Sequence, residues 1–184
     1  MEIASEPLPG VLELRSRSFQ DSRGSFSETY NRRTMAELGI DVEFCQDNES
    51  YSATSGTVRG LHLQAGPYAQ GKLVRVLRGA IFDVAVDIRP DSPTFRQHAT
   101  VELRGGDNRA FWLPAGFAHG FCTLADETVV SYKATDFYAP DCERSIRFDD
   151  PDLGIDWPVD SADAILSDKD AAAPSLAAFL AEMS

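Results

Sequence analysis

The chain has 184 residues, a net charge of −12 at pH 7 and a pI of about 4.6. A nucleic-acid-binding domain normally carries a basic stripe, and a membrane helix needs roughly 20 consecutive apolar residues. The sequence shows neither, so we expect no nucleic-acid partner and no membrane span. The length is typical of one domain, which we predict over residues 1–184.

Cysteine usage and the N-terminal residues favour a cytoplasmic location. The three cysteines, Cys45, Cys122 and Cys142, are odd in number and widely spaced, which fits neither a disulfide framework nor a zinc motif. Residues 1–10 lack the basic start and apolar core of a signal peptide. We therefore expect a cytoplasmic protein.

Short strand-like runs separated by turns fill the first part of the chain. Residues 31–38 are the exception, because Asn31 can cap a helix there and Gly39 can end it. The remaining pattern predicts strands or extended segments at 11–19, 25–30, 42–45 and 49–52, with a turn at 21–24.

The central stretch holds three runs of strand character, 59–64, 72–78 and 80–89, separated by glycines. In the second run Lys72 shares one face with two valines, because side chains alternate along a strand. His62 lies in an apolar run of the first. On neighbouring strands, His62 and Lys72 would present a base and a cation to one substrate in a pocket.

The rest of the chain continues this pattern and ends in a helix. Many short strands with Gly and Pro turns are typical of an antiparallel jelly roll. We predict an all-β, antiparallel jelly-roll barrel with a few short peripheral helices. The predicted strands are 95–104, 110–113, 120–124, 128–134 and 145–148, with turns or loops at 90–93, 105–108, 114–119 and 138–144, an irregular segment at 149–158 and a helix at about 175–183.

Residues 114–119, PAGFAH, resemble the second motif of cupin barrels, in which the histidine binds a metal. The first motif of metal-binding cupins is His-x-His followed by Glu. Here the corresponding residues are His62, Gln64 and Lys72. A charged ammonium repels a cation and has no lone pair to donate. The motif therefore favours a cupin-like barrel without a metal, and a metal-dependent cupin enzyme is the alternative.

A lysine near a histidine suits proton abstraction next to a carbonyl, because the cation stabilises the developing enolate oxygen. His62 is a candidate general base, or alternatively a core histidine bonded to a backbone carbonyl. Asp170 is a candidate carboxylate to hold the tautomer of that base. Tyr132 is a candidate proton donor from the opposite side, or alternatively an aromatic residue that only lines the barrel.

Short motifs in order along nearly the whole chain carry a family resemblance: DSRGSFSE (21–28), QDN (46–48), RGLH (59–62), QGKLVR (70–75), FDVAVDIR (82–89), SPTF (92–95), PAGFAHGF (114–121), YK (132–133) and LSDKD (166–170). Together they resemble the deoxynucleoside diphosphate sugar epimerases, and among them the dTDP-4-dehydrorhamnose 3,5-epimerases. The resemblance implies a cupin-like jelly roll that forms a homodimer by exchanging N-terminal strands. It also implies a dTDP-sugar substrate and no cofactor.

The resemblance further implies a role for each matching residue. His62 is similar to the family's proton acceptor, with Asp170 as its partner. Tyr132 is similar to the proton donor, Lys72 to the group that stabilises the enolate, and Tyr138 to the aromatic that stacks on thymine. The implied substrate-binding residues are Arg23 (from the neighbouring subunit), Phe26, Glu28, Gln46, Asn48, Arg59, His119, Tyr138, Glu143 and Lys169.

The implied reaction inverts carbons 3 and 5 of dTDP-4-dehydro-6-deoxy-D-glucose and gives dTDP-4-dehydro-L-rhamnose, a step of dTDP-L-rhamnose biosynthesis. The alternatives are a mono-epimerase that acts at one of these carbons and an inactive protein that only binds a sugar nucleotide. Two observations depart from the pattern. Arg59 and His62 have opposite parity in a regular strand, so both face a pocket only if the strand begins or bulges near Gly60. Glu49 introduces an acid close to the implied nucleotide site.

Overall fold

Two antiparallel β-sheets face each other in the computed structural model, which describes residues 1–183. The prediction of an all-β, antiparallel fold with a few short peripheral helices is confirmed. Within the described range, no helix is long and apolar enough to cross a membrane. The strands are β1 (Glu2–Leu8), β2 (Val11–Arg15), β3 (Ser18–Asp21), β4 (Gly24–Ser27), β5 (Gln46–Ser52), β6 (Val58–Gln64), β7 (Lys72–Arg78), β8 (Ala80–Asp87), β9 (His98–Arg104), β10 (Arg109–Leu113), β11 (Phe117–Thr123), β12 (Thr128–Ala134) and β13 (Glu143–Ser145), and the helices are α1 (Arg32–Glu37), α2 (Asp168–Ala171) and α3 (Leu176–Met183).

Apart from one consecutive pair in each sheet, β1–β2 and β8–β9, neighbouring strands are distant in sequence. The six-stranded sheet has the order β1-β2-β10-β7-β12-β5, and the five-stranded sheet has the order β13-β6-β11-β8-β9. Strands β3 and β4 form a separate hairpin. Crossing between sheets is the usual arrangement of a jelly roll. As a result, the consecutive strands β6 and β7 lie in opposite sheets.

The main core fills the space between the two sheets. Val74 and Val76 of the six-stranded sheet pack there against apolar residues of the other sheet, as the alternation in β7 predicts. The outer faces are covered separately. Helix α3 buries Phe179 against the five-stranded sheet, and α1 buries Met35 against the six-stranded sheet. Each such buried side chain contributes about 1.5–3 kcal/mol, so a few residues are enough to hold each short helix in place.

One buried carboxylate fixes the loop that follows β8. Asp87 is fully buried and accepts hydrogen bonds from Arg89 Nη2 at 2.7 Å, Ser92 Oγ at 2.5 Å and Thr94 Oγ1 at 2.7 Å. Burial opposes the charged form, but these bonds hold the pKa of Asp87 far below its ordinary value. The guanidinium of Arg89 also lies 4.4 Å from the centre of the Phe117 ring. The loop is therefore held against Phe117, the first residue of β11. Strand β9 begins after this loop, at His98.

Three elements after β10 differ from the prediction. Strand β11 begins at Phe117, so His119 lies inside a buried strand rather than in a turn. The turn is already complete at Gly116, whose φ of +91° suits a residue without a Cβ. Strand β13 lies at 143–145 rather than at 145–148, so it begins inside the predicted loop and shares only Ser145 with the predicted strand. Helix α2 lies outside the predicted elements, because its four residues are too few to show a helical period.

The N-terminal part differs mainly in strand boundaries. Strand β1 lies outside the predicted strands, and the predicted strand 11–19 is divided into β2 and β3. Residues 42–45 are in no strand, whereas β5 is longer than predicted and begins at Gln46. The predicted helix is confirmed as α1, and the side chain of Asn31 caps it by accepting hydrogen bonds from the backbone N–H groups of Arg33 and Thr34.

Candidate active site

A cavity of about 360 Å³ opens between the two sheets. This volume is within the range of small-molecule sites. Among the residues that line it are six of the predicted site residues: Arg59, His62, Lys72, His119, Tyr132 and Asp170. The fold therefore brings these six side chains from four strands and one helix into one space.

His62 and Asp170 form the closest contact in the cavity. Nε2 of His62 lies 2.5 Å from Oδ1 of Asp170, and Ser167 Oγ donates to Oδ2 of the same carboxylate at 2.9 Å. Burial alone raises the pKa of Asp170, but the bonds from His62 and Ser167 bring it below its ordinary value. An ionised carboxylate can only accept, so Nε2 carries the proton and the lone pair remains on Nδ1.

Helix α2 places Asp170 beside His62. Ser167 caps this helix, and its hydroxyl accepts a hydrogen bond from the backbone N–H of Asp170 at 3.1 Å. The same hydroxyl donates to the Asp170 carboxylate, so backbone and side chain are fixed together. The predicted pair of His62 and Asp170 is therefore brought together across 108 residues of sequence.

A bulge in β6 allows Arg59 and His62 to line the same cavity. The pairing of β6 with β11 is regular at His62 but shifts before Arg59, and Gly60 between them has a φ of +115°. A Cβ atom on Gly60 would lie 2.6 Å from the Cα of Gly120, so only glycine fits there. The predicted irregularity near Gly60 is confirmed, and it resolves the parity conflict.

Lys72 and Tyr132 enter the cavity from the opposite sheet. The expectation that His62 and Lys72 lie on neighbouring strands is wrong, because β6 and β7 belong to different sheets and face each other. Nζ of Lys72 is 3.5 Å from the backbone carbonyl oxygen of His62. Burial lowers the pKa of Lys72 to about 8, while Asp83 and Glu143 act in the opposite direction. Burial, helped by Glu143, raises the pKa of Tyr132, so its hydroxyl stays protonated near neutral pH.

A second histidine–carboxylate pair lies beside the first. Nε2 of His119 is 2.6 Å from Oδ1 of Asp83, and both residues are buried. Burial, which outweighs the attraction of Asp83, lowers the pKa of His119. Oδ2 of Asp83 has no hydrogen-bond partner within residues 1–183. Asp83 is absent from the predicted site, although an acid at an inward-facing position of the apolar strand β8 is a signal that could have identified it.

A row of predicted binding residues continues from the cavity along β5 and around the edge. Gln46 Nε2 donates to Asn48 Oδ1 at 2.9 Å, and Asn48 lies opposite Tyr132 in the sheet. The hydroxyl of Tyr138 donates to Glu143 Oε2 at 2.9 Å. Lys169, beside Asp170, lies 2.5 Å from the other oxygen of Glu143. Tyr138, Glu143 and Lys169 therefore form one connected group.

Within residues 1–183, the cavity lining includes neither the five binding residues just described nor three others, Arg23, Phe26 and Glu28. Arg23 and Phe26 lie on the exposed β3–β4 hairpin, where Arg23 pairs with Asp21 at 2.6 Å. Phe26 is 70 % exposed. Glu28 lies before α1, and its carboxylate accepts a hydrogen bond from Asn31 at 3.1 Å.

The side chains do not suit a metal ion. In the described part of the chain, no group of three or more His, Cys, Asp or Glu side chains could hold one. His62 and His119 each face a carboxylate, and the amide of Gln64 is bonded to backbone groups of three loop residues. The positions that correspond to cupin metal ligands are therefore engaged otherwise.

The antiparallel barrel, with a carboxylate-bonded histidine from one sheet and a lysine and a tyrosine from the other in one cavity, defines a cupin-like enzyme with groups suited to acid–base chemistry. Residues 5–178 match the family model described as dTDP-4-dehydrorhamnose 3,5-epimerase. The chain belongs to this family, and the resemblance seen in the motifs is confirmed.

Three relatives illustrate the similarity. The dTDP-4-dehydrorhamnose 3,5-epimerase of Sinorhizobium fredii is 50 % identical over 176 residues, which is 96 % of this chain and 90 % of the relative. The crystal structure of the Legionella pneumophila 3,5-epimerase, in complex with dTDP-4-keto-L-rhamnose, matches with a TM-score of 0.93 and 45 % identity over 99 % of this chain and 96 % of that chain. A 3′-monoepimerase from Streptomyces bikiniensis, in complex with dTDP-quinovose, matches with a TM-score of 0.86 and 34 % identity over 97 % and 90 %.

Proposed function

We propose that this protein is an epimerase that inverts carbons 3 and 5 of dTDP-4-dehydro-6-deoxy-D-glucose to give dTDP-4-dehydro-L-rhamnose, a step of dTDP-L-rhamnose biosynthesis. The observation that carries the proposal is the arrangement of one base and one acid on facing sheets. His62, bonded to Asp170, is on the five-stranded sheet, and Tyr132 is on the six-stranded sheet, with the Lys72 ammonium near His62.

The first step is removal of a proton from the carbon next to the ketone. Nδ1 of His62 accepts this proton, and the imidazolium that forms is stabilised by the Asp170 carboxylate 2.5 Å from Nε2. The electron pair of the broken C–H bond moves into the enolate, and its oxygen is stabilised by the Lys72 ammonium. A base of this kind typically contributes about 10²–10⁴-fold to the rate.

The second step is protonation of the same carbon from the other face. The Tyr132 hydroxyl donates this proton, because its raised pKa keeps it protonated until the enolate forms. The tyrosinate and the imidazolium then exchange protons with water and return to their starting states. A change in the position of the sugar ring brings the second carbon to the same groups, so one base and one acid serve both inversions.

The nucleotide part of the substrate binds outside the proton-transfer groups. Gln46, Asn48, Arg59 and the group of Tyr138, Glu143 and Lys169 offer an amide surface, a guanidinium and an exposed aromatic ring. Tyr138 is 55 % exposed, as a ring that stacks on thymine must be before the ligand binds.

Arg23, Phe26 and Glu28 act in the site of a second subunit, which is why we infer a homodimer. The support is their position away from the cavity of their own chain, together with the exposed edge strand β1, in which six of seven residues are exposed. The proposed dimer exchanges this N-terminal strand. Each chain is a single domain, is cytoplasmic and uses no cofactor. The mass of the purified protein in solution tests the dimer.

A mono-epimerase is the second candidate, because the Streptomyces bikiniensis relative with that activity has the same fold. Incubation with dTDP-4-dehydro-6-deoxy-D-glucose in deuterated water, followed by NMR at carbons 3 and 5, distinguishes the two. We expect deuterium at both carbons and formation of the L-sugar. Deuterium at one carbon contradicts the double epimerisation, and exchange at neither carbon in protein that binds the nucleotide contradicts the epimerase itself. His62→Ala is the matched inactive control.

A further inference from the structure

The segment 135–139 follows β12, the strand that carries Tyr132, and has two exposed aromatic rings. Phe137 is 64 % exposed and Tyr138 is 55 % exposed. The segment joins β12 to β13 and includes no regular strand or helix. A loop of this kind usually samples several conformations, and the position of its rings then varies. Here the backbone is held by side-chain amides from elsewhere in the chain.

Gln64 makes the largest number of these contacts. Its Nε2 donates to the carbonyl oxygens of Tyr68 at 2.6 Å and Phe137 at 3.1 Å, and its Oε1 accepts from the backbone N–H of Ala139 at 2.7 Å. The side chain is 5 % exposed, and all three bonds go to backbone groups. Gln64 therefore holds the loop on both sides of Tyr138.

Two further glutamines complete the support. Gln70 Nε2 donates to the carbonyl oxygen of Asp136 at 2.7 Å, and Gln46 Oε1 accepts from the backbone N–H of Tyr138 at 2.9 Å. The hydroxyl of Tyr138 is fixed separately by Glu143. Both ends of the Tyr138 residue, backbone and ring, are therefore bonded before any ligand arrives.

A buried amide is expensive unless its donors and acceptor are satisfied, and a satisfied one rigidifies its surroundings. An apolar residue at position 64 would fill the same space without fixing the loop. Since ordering a side chain on binding lowers affinity, a ring that is already held in place binds a flat ligand more tightly. The amide of Gln64 therefore fixes the backbone of the loop, which an apolar side chain of similar size would not do.

We propose that Gln64 is a positioning residue that holds the ring of Tyr138 for the nucleotide base, and that it sets affinity for the nucleotide part of the substrate rather than the rate of proton transfer. The proposal rests on the function proposed above, in which Tyr138 stacks on the base. Within residues 1–183, the residues that line the catalytic cavity do not include Gln64, so its effect passes through the loop.

The first test is Gln64→Met, which keeps the length of the side chain and removes all three hydrogen bonds. We expect the Kd of thymidine diphosphate, measured by calorimetry, to rise about 10-fold, within the range that loss of one base–aromatic stack produces. KM should rise by a similar factor, while kcat stays within about threefold. Gln97→Met is the matched control, because Gln97 is exposed and its side chain makes no hydrogen bond to the described residues.

The deciding test is a double-mutant cycle with Tyr138→Ala. If Gln64 acts through Tyr138, adding Gln64→Met to Tyr138→Ala changes the Kd of thymidine diphosphate by less than about twofold. The same 10-fold loss in both backgrounds, or a fall in kcat with an unchanged Kd, overturns the proposal. If Gln64→Met does not fold, Gln64→Glu replaces it, since a carboxylate still accepts from Ala139 but cannot donate to the two carbonyl oxygens.

The outcome is separable from that of the proposed function. If the wild-type protein exchanges no deuterium but Gln64 and Tyr138 are coupled in the binding of thymidine diphosphate, the epimerase proposal is wrong and the positioning role of Gln64 stands. If the wild-type protein exchanges deuterium at both carbons but the two substitutions cause additive losses of affinity for thymidine diphosphate, the epimerase proposal stands and the positioning role of Gln64 is wrong.

Discussion

Replacing Asp170 by asparagine tests the catalytic pair with the smallest change of shape. In the wild type the carboxylate accepts from Nε2 of His62 and from the hydroxyl of Ser167. Because Ser167 already donates to the Oδ2 position, the amide oxygen of the new side chain is favoured there. The amide nitrogen then faces His62 and donates to Nε2, which moves the ring proton to Nδ1. The histidine keeps its position but can no longer accept a proton.

The expected loss in kcat is about 10²–10⁴-fold, the contribution of a general base and of a carboxylate that fixes its tautomer. This range corresponds to about 2.7–5.4 kcal/mol in activation free energy. KM should change by less than about threefold, because neither group is placed in the nucleotide-binding part of the site. Stability should change little, since the introduced amide keeps a bond to Ser167.

The assay is deuterium incorporation at carbons 3 and 5, because it reports proton removal directly. Asp168→Asn is the matched control, since Asp168 is in the same short helix and is exposed. Exchange by Asp170→Asn within about threefold of the wild-type rate refutes the assignment of His62 and Asp170 as a catalytic pair. A loss of equal size in Asp168→Asn shows that the helix, and not the carboxylate, is responsible.

Three further predictions follow from groups described above. Burial lowers the pKa of Lys72 to about 8, and the charged ammonium is the active form in the proposed mechanism. We therefore expect log kcat/KM to fall with a slope of about −1 above that pH, and Lys72→Arg to move this fall to higher pH. A flat profile from pH 7 to 10 contradicts the role of Lys72. Tyr132→Phe should reduce formation of the inverted product at least about 100-fold but deuterium exchange less than about 10-fold, as measured by NMR; equal losses contradict the role of proton donor. Asp87→Asn should lower the free energy of unfolding by about 2–3 kcal/mol at pH 7, because bonds to a buried charge are lost. The pKa of Asp87 is lower in the folded than in the unfolded protein, so the extra stability of the wild type over Asp87→Asn is complete above about pH 4 and decreases at lower pH. Denaturant titrations at pH 7 and pH 3 measure this difference in the free energy of unfolding. An equal difference at both pH values contradicts the assignment.

The sequence was most informative where strands are buried and regular. Strands β7, β8 and β12 each have a neighbouring strand on both sides and consist largely of apolar residues, and their predicted and observed ranges agree closely. Lys72 was identifiable because it shares one face of a predicted strand with two valines, and the family motifs supported the roles of Tyr132 and Asp170, which were already candidates. Strand β1 carries little such signal, because almost all of it is exposed and it contains a proline at position 7.

What the sequence could not provide is the relation between distant elements. No local pattern indicates that β6 and β7 lie in opposite sheets, because sheet membership depends on pairing with strands that are far away in the chain. The same is true of Asp83, whose partner His119 is 36 residues away. Gln64 could be noted as a poor metal ligand, but its bonds to the 135–139 segment depend on loop conformations that only the folded chain defines.

The division of the proposed catalytic groups between two sheets gives the hydrophobic interior a second role. Base and acid are attached to separate layers, and facing sheets are held roughly 10 Å apart by the side chains between them. Val74 of one sheet and Ile81 of the other belong to the core between the sheets and are not among the residues that line the cavity within residues 1–183, and this core sets the gap across which protons are taken and returned in the proposed mechanism. A displacement of about 1 Å can cost about 100-fold in rate. A core substitution that changes this gap is therefore expected to lower the rate as well as the stability.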